Sequence, residues 1–298
     1  MSADPPAPPG TTAANAGGPA GEAPEPNPRV HGRPPYRIAV IHGGPGAGGE
    51  MAPVARRLSA ERGVLEPIQT AASLEGQIAE LTAVLSAHAE IPATLVGFSW
   101  GAWLSFLVAA RHPAFVRKVI LVGSGPFEES YVARLEATRR GRLNLPERAE
   151  YAAILKALGD PTTPEKDRRL ARLGQLASIT DSFDPVATEI SAERAGLGAA
   201  LSAGEIFQKV WSEASALRRT GTLLESGKLL RCPVVAIHGA HDPHPAEGVR
   251  DPLARVLKDF RFVLLAKCGH KPWIERQARE EFYAILRDEL PRPADPGP

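Results

Sequence analysis

Three residue types that together perform nucleophilic acyl transfer stand far apart in this chain of 298 residues: Ser99, Asp242 and His270. Ser99 lies in Gly97-Phe98-Ser99-Trp100-Gly101, a G-x-S-x-G pentapeptide. A hydroxyl is a weak nucleophile until an imidazole takes its proton, and the imidazole works best when a carboxylate holds its tautomer. The two glycines have a steric purpose. In a sharp turn from strand to helix, the residues flanking the serine crowd each other unless they lack a Cβ. Such a turn exposes the hydroxyl at the carboxyl edge of a sheet, and the helix that follows aims its free N–H groups at the same place.

The spacing of the other two residues fits the same geometry. Asp242 comes just after an apolar run ending at Ile237, and His270 just after one ending at Leu265, so both are expected past strand ends on the serine's side of the sheet. The chain order is serine, aspartate, histidine. Taken singly, Asp242 reads as a turn residue before Pro243 and His270 as a loop histidine beside a glycine; their joint placement favours a site. His238, His241 and His244 surround Asp242 without the spacing of a helix-borne H-E-x-x-H pair, so no metal is expected. No cofactor is required either. Cys232 and Cys268 are too few for a disulfide framework and read as small packed residues in a reducing compartment; Cys268 lacks its own base and turn.

Those residues need a scaffold, and the chain supplies one. Met1 to Pro35 is rich in Pro, Ala and Gly, has little to bury, and is expected to be a disordered tail. Tyr36 to Ile41 reads as a buried parallel strand running into the glycine-rich His42 to Gly49, followed by a helix over 50–62, a strand over 64–68 and a helix over 73–88. The strand before Ser99, its helix and the strand Val116 to Val122 continue the alternation. This pattern predicts an α/β fold: a mostly parallel sheet with helices on both faces. From about Phe127 to Lys228 the pattern is helical, with segments near 129–142, 147–158, 166–178 and 204–218. It is read as a helical lid over 128–228 inserted into a core of 36–127 and 229–298. Strands over 233–239 and 260–265 and a helix over 275–290 complete the core.

Composition narrows the partners. The chain is 43% hydrophobic and 23% charged with a formal net charge of +1, so neither nucleic acid nor an anionic membrane is suggested. No run approaches the ~18–20 apolar residues of a membrane span. The start lacks a basic segment followed by an apolar core, which makes a cytoplasmic location the expectation. Oligomeric state is not legible.

Together these motifs resemble the α/β-hydrolase superfamily from about Tyr36 to Leu290. His42-Gly43-Gly44-Pro45-Gly46 resembles its oxyanion loop, Gly97 to Gly101 its nucleophile elbow, Asp242 its triad acid and Gly269-His270 its terminal histidine loop. The resemblance implies an oxyanion hole made by the backbone N–H groups of Gly44 and Trp100. By motif the nearest subgroup is the proline iminopeptidases, which share H-G-G-P-G and G-x-S-W-G and carry a helical cap. Leu65 to Ser73 departs from their D-Q-R-G-type segment, and no clear pair of strands precedes Tyr36, which suggests a trimmed sheet. The resulting expectation is a serine hydrolase acting through an acyl-enzyme on an ester, thioester or amide of a small molecule. A proline iminopeptidase-like aminopeptidase is the enzymatic alternative, and a non-catalytic ligand-binding member of the fold is the alternative of another class.

Overall fold

A computed structural model describes residues 27–160, 162–187 and 203–292. Its centre is a seven-stranded sheet formed by β1 (Arg29–His31), β2 (Tyr36–Ile41), β3 (Gly63–Glu66), β4 (Ala93–Phe98), β5 (Val116–Val122), β6 (Val234–Gly239) and β7 (Phe260–Leu265). The spatial order is β1-β3-β2-β4-β5-β6-β7. All pairs are parallel except β1 with β3. This is the expected α/β architecture, and β4, which delivers the serine, is buried along its whole length between β2 and β5.

Alternation within each strand divides the core. Ala39, Ile41, Leu65, Leu95, Val119 and Leu121 point to one face, where they meet α2 (Leu74–His88) and α3 (Trp100–Arg111). Ile38, Val40, Val96, Phe98, Ile120 and Val122 point to the other and meet α1 (Ala52–Leu58) and the terminal helix Arg279–Glu289. A strand apolar on both faces reads as a continuous run, and only a sheet covered twice can bury it. Every residue of α3 except Arg111 is buried, so the helix that starts at the serine is itself core.

Between β5 and β6 the described chain is helical: α4 (Val132–Arg142), α5 (Leu145–Gly159), α6 (Lys166–Asp181), α7 (Ala203–Arg219) and the short α8 (Thr222–Glu225). Asn144 and Glu147 close a reciprocal capping box that starts α5 two residues before the expected 147. Leu143, Tyr151, Ile154, Leu158 and Leu176 give this segment a small core of its own. After β6 come α9 (Glu247–Val256) and, past β7, α10 (Arg279–Glu289). Among the described residues no helix is long and apolar enough to cross a membrane.

One expectation is corrected. The sheet begins at Arg29, not Tyr36: β1 adds an antiparallel edge strand on β3, secured by the His31 ring against Glu66 at 2.8 Å. Three residues with one apolar side chain carry no readable period, which is why the strand escaped notice. The helix α9, unassigned from sequence, has only Val249, Pro252 and Leu253 as sizeable buried residues and holds a proline inside it. Of the tail expected to be disordered over 1–35, the described part holds β1 at Arg29–His31, and residues 1–26 lie outside the described residues.

Candidate active site

The turn after β4 has the geometry that the glycines imply. Ser99 adopts φ 50° and ψ −110°, a conformation that side-chain-bearing residues rarely take, and its N–H bonds the carbonyl of Val122 at 2.9 Å. A Cβ on Gly97 would stand 2.2 Å from the Gly101 carbonyl oxygen, and one on Gly101 2.4 Å from that of Ile41. Both contacts are with main chain, so neither glycine tolerates a side chain. Trp100 begins α3, and its indole N–H donates to Gln77 on α2 at 2.8 Å, pinning the elbow to its neighbour. Its amide belongs to the first helical turn, whose N–H groups have no partner within the helix.

The glycine-rich loop after β2 faces this turn. Gly43 packs so closely that a Cβ would meet Glu50 Oε2 at 2.5 Å and the Phe98 ring at 2.7 Å, and its N–H is spent on Glu50 at 3.1 Å. Gly44 has φ +26° and is next in line to offer an amide. His42, though buried, is no free base. Its Nδ1 donates to the Gly43 carbonyl at 2.7 Å, and its Nε2 accepts from the Gln69 N–H at 3.1 Å. Burial pushes its pKa down, against the pull of Gly43 and neighbouring carboxylates, so the ring is a neutral brace.

Asp242 and His270 are brought together. An ionised carboxylate only accepts, so Nδ1 of His270 donates to Asp242 Oδ2 at 2.7 Å, and Nε2 is left as the nitrogen that can take a proton. The imidazole packs on Phe98, the residue preceding Ser99, with ring centroids 4.7 Å apart. Gly123 explains how the loop comes so near: at φ +51° a Cβ there would lie 2.6 Å from the His270 carbonyl oxygen. From the helical segment, the carbonyl of Asp181 accepts the His270 main-chain N–H at 2.7 Å. Burial by itself would raise the Asp242 carboxyl, but the imidazoles of His270 and His244 outweigh it and hold the group well below the ordinary carboxylate range.

His244 is the residue that motif reasoning missed. Its Nδ1 and its main-chain N–H both donate to Asp242 Oδ1, at 2.7 and 2.9 Å. His238 reaches the same neighbourhood by donating from Nε2 to the His244 carbonyl at 2.8 Å. Ligand atoms of Asp242, His244 and His270 lie within 4.8 Å of one another, but both histidines already give a proton to the carboxylate, and the cluster is accounted for by that arrangement. His241 instead packs against Phe183. Cys268 is buried with its thiol pKa pushed up, and Cys232 is pushed to about 11, so neither offers a thiolate.

Other contributors lay outside any motif. Glu275 accepts the main-chain N–H groups of Gly269, Phe183 and Asp184, stitching the histidine loop to the end of α6. Arg139 clamps Asp181 through two bonds of 3.0 and 2.6 Å. Nothing local in the sequence marks these residues, because Glu275 reaches Phe183 and Asp184, and Arg139 reaches Asp181, across more than forty positions.

Comparison with known proteins agrees with the α/β architecture. The family described as alpha/beta hydrolase fold matches residues 45–277. A pimeloyl-[acyl-carrier protein] methyl ester esterase of Neisseria meningitidis serogroup B is 26% identical over 237 residues, covering 75% of this chain and 76% of that protein. One of the same name from Chromobacterium violaceum is 25% identical over 208 residues, covering 70% and 73%. Among solved structures, the proline iminopeptidase of Mycobacterium smegmatis superposes with TM-score 0.62 at 20% identity, covering 88% of this chain and 93% of that one. The enol-lactonase of Burkholderia xenovorans does so with TM-score 0.53 at 20% identity, covering 88% and 94%. At such identities the structures bear on fold alone.

Proposed function

The chain belongs to the α/β-hydrolase fold family and is an ester-cleaving serine hydrolase, and we propose that Ser99, His270 and Asp242 form its catalytic triad. The observation that carries this reading is the buried 2.7 Å bond between Asp242 and His270 Nδ1, made by a ring that packs on the residue preceding a strained serine.

In this mechanism His270 Nε2 takes the proton of the Ser99 hydroxyl as the oxygen attacks the acyl carbon. Asp242 holds the ring with Nε2 free and stabilises the imidazolium that forms. The anion on the acyl oxygen is met by the amides of Trp100 and Gly44, the first of them at the positive end of α3. The imidazolium then protonates the departing alkoxide, and a water activated by the same histidine releases the acid from Ser99. The helices between β5 and β6 act as the lid over this chemistry.

Carboxylic esters of small acyl groups are the favoured substrates, since the curated relatives are named for methyl ester cleavage. An aminopeptidase would need a carboxylate of the lid to receive an α-ammonium group. Asp181 reaches the histidine loop from that segment through its carbonyl, and its charge is already committed to Arg139. Burial would raise its pKa, but Arg139 prevails and lowers it.

The test is Ser99→Ala assayed on p-nitrophenyl esters, methyl esters and aminoacyl arylamides. Ester turnover is expected to fall by about a thousandfold or more, with loss of labelling by a fluorophosphonate probe. Undiminished turnover in that variant would refute the assignment. Arylamide hydrolysis exceeding that of esters in the parent protein would favour the aminopeptidase.

A further inference from the structure

A buried ion pair ties together the loops that carry the proposed site. Lys271, the residue after His270, places its ammonium 2.8 Å from Glu50 Oε1, and the other oxygen of Glu50 accepts the Gly43 N–H at 3.1 Å. The side chains of Lys271 and Glu50 are only 19% and 11% exposed. The ammonium also lies 6.0 Å from the centre of the Phe98 ring, whose other neighbours are His270 and Trp273.

One charged contact thus spans the glycine-rich loop, the elbow and the histidine loop. Glu50 lies eight residues after His42, just before α1, and belongs to none of the motifs that suggested the site. On its far side the glycine-rich loop meets the lid: Gly46, at φ +88°, is so close that a Cβ would lie 2.7 Å from the Ala203 carbonyl oxygen. The loop is therefore held between α7 and the Glu50 carboxylate, and Gly43 is the point at which the carboxylate grips it.

We propose that Glu50 and Lys271 are a positioning pair, which sets the Gly44 amide at the distance a tetrahedral oxyanion on Ser99 requires. The proposal rests on the triad reading above. Burying two charges is costly unless each is paired and hydrogen-bonded, and apolar residues could fill such a space at less cost. Keeping the charges is explained by what they hold. Glu50 also faces His42 and His270; burial opposes its ionisation, yet the Lys271 ammonium keeps its pKa below the ordinary value. It therefore grips the Gly43 N–H as a carboxylate, the stronger form of acceptor. An amide displaced by a fraction of an ångström would still allow substrate to bind but would stabilise the transition state less.

The experiment compares the full-length protein with Glu50→Gln, Lys271→Met and Lys271→Arg, using p-nitrophenyl acetate as substrate and phenylboronic acid as the tetrahedral analogue on Ser99. Glu50→Gln and Lys271→Met are expected to lower kcat by at least about tenfold, less than outright removal of an oxyanion donor. KM should stay within about twofold and boronate affinity should fall by the same factor as kcat, with Lys271→Arg recovering most of both. A role in stability alone would lower the melting temperature without moving kcat or boronate affinity, and that result would overturn the proposal. Should Glu50→Gln fail to fold, the contrast between Lys271→Met and Lys271→Arg decides on the same readouts. Fluorophosphonate labelling of each variant separates this outcome from failure of the triad reading, which would abolish labelling dependence on Ser99 in the parent protein as well.

Discussion

The ring of His244 stacks on that of His270, centroids 4.5 Å apart and planes 24° from parallel, while both present Nδ1 to the carboxylate of Asp242. Two imidazolium rings in that contact would repel strongly, so only one can carry charge. Burial, with His270 and Arg139 assisting and Asp242 opposing, drives the pKa of His244 down to about 4. His244 is then a neutral donor that orients Asp242, and His270 is left as the proposed base.

This has a consequence for stability against pH. A ring that titrates near 6.5 when unfolded and about 4 when folded binds more protons in the unfolded chain across that window. Stability therefore rises with pH through the window and is lost as pH falls from 6.5 toward 4, by up to about 3 kcal/mol. His244→Asn removes the titration and keeps a side-chain donor for Asp242. Urea midpoints measured at pH 4.5 and 7 should differ less in the variant than in the parent. His42, also lowered, titrates in both proteins and cancels; parallel curves would contradict the assignment of a buried neutral His244.

The backbone at Ser99 stores strain. Holding a serine at φ 50° costs on the order of 1–3 kcal/mol, whereas glycine takes such angles freely and loses about 0.5–1 kcal/mol through its greater unfolded entropy. Ser99→Gly should therefore be inactive yet more stable than Ser99→Ala by about 1 kcal/mol, since alanine keeps the Cβ. Thermal unfolding of the pair measures this, and a less stable glycine variant would mean the elbow is relaxed.

Neighbouring glycines behave differently. At Gly101 a Cβ would press on two main-chain oxygens of β2 and the loop after it, at 2.4 and 2.5 Å, and neither β2 nor α3 can yield. Gly101→Ala is expected to cost more than about 2 kcal/mol. Gly141, inside α4 with nothing within 4 Å of its would-be Cβ, provides the control. There alanine should stabilise by about 0.5–1 kcal/mol through helix propensity. Equal midpoints for the two substitutions would show that α3 shifts to accommodate the methyl group.

How much of this was legible beforehand follows from the range of the forces involved. The parallel strands, the elbow and the order Ser99, Asp242, His270 are local patterns: apolar runs, glycines at a turn, and polar residues one step past a strand. Gly44 and Trp100 follow from the loop and the helix start by resemblance. What the sequence hid acts through space. His244 was visible, but only as one of the histidines weighed and set aside as a metal set, since its role depends on Asp242 turning back over it. Arg139 and Asp181 reach the histidine loop only when the helices between β5 and β6 close on the sheet, and Glu50 and Lys271 meet only when the loops after β2 and β7 come together. β1 was hidden for another reason, since three residues are too few to show a period.

The clamp of Arg139 on Asp181 offers the sharpest test of how that helical segment supports the site. Asp181 sends its carbonyl to the His270 N–H, while its carboxylate takes two bonds from Arg139 and one from the Thr180 hydroxyl at 2.6 Å. Both partners are nearly enclosed, with side chains 17% and 8% exposed. Arg139→Met would strand a carboxylate away from water, a change that typically costs about 3–5 kcal/mol. The double replacement Arg139→Met with Asp181→Asn leaves no stranded charge and should recover much of that loss. Because Asp181 ionises below its ordinary range only while Arg139 is present, the single variant's deficit should shrink as pH falls and the carboxyl protonates. Ester turnover should follow the same order, parent above double above single, since the His270 loop hangs on the Asp181 carbonyl. A single variant as active as the parent at pH 7 would mean that the loop keeps its place without the clamp.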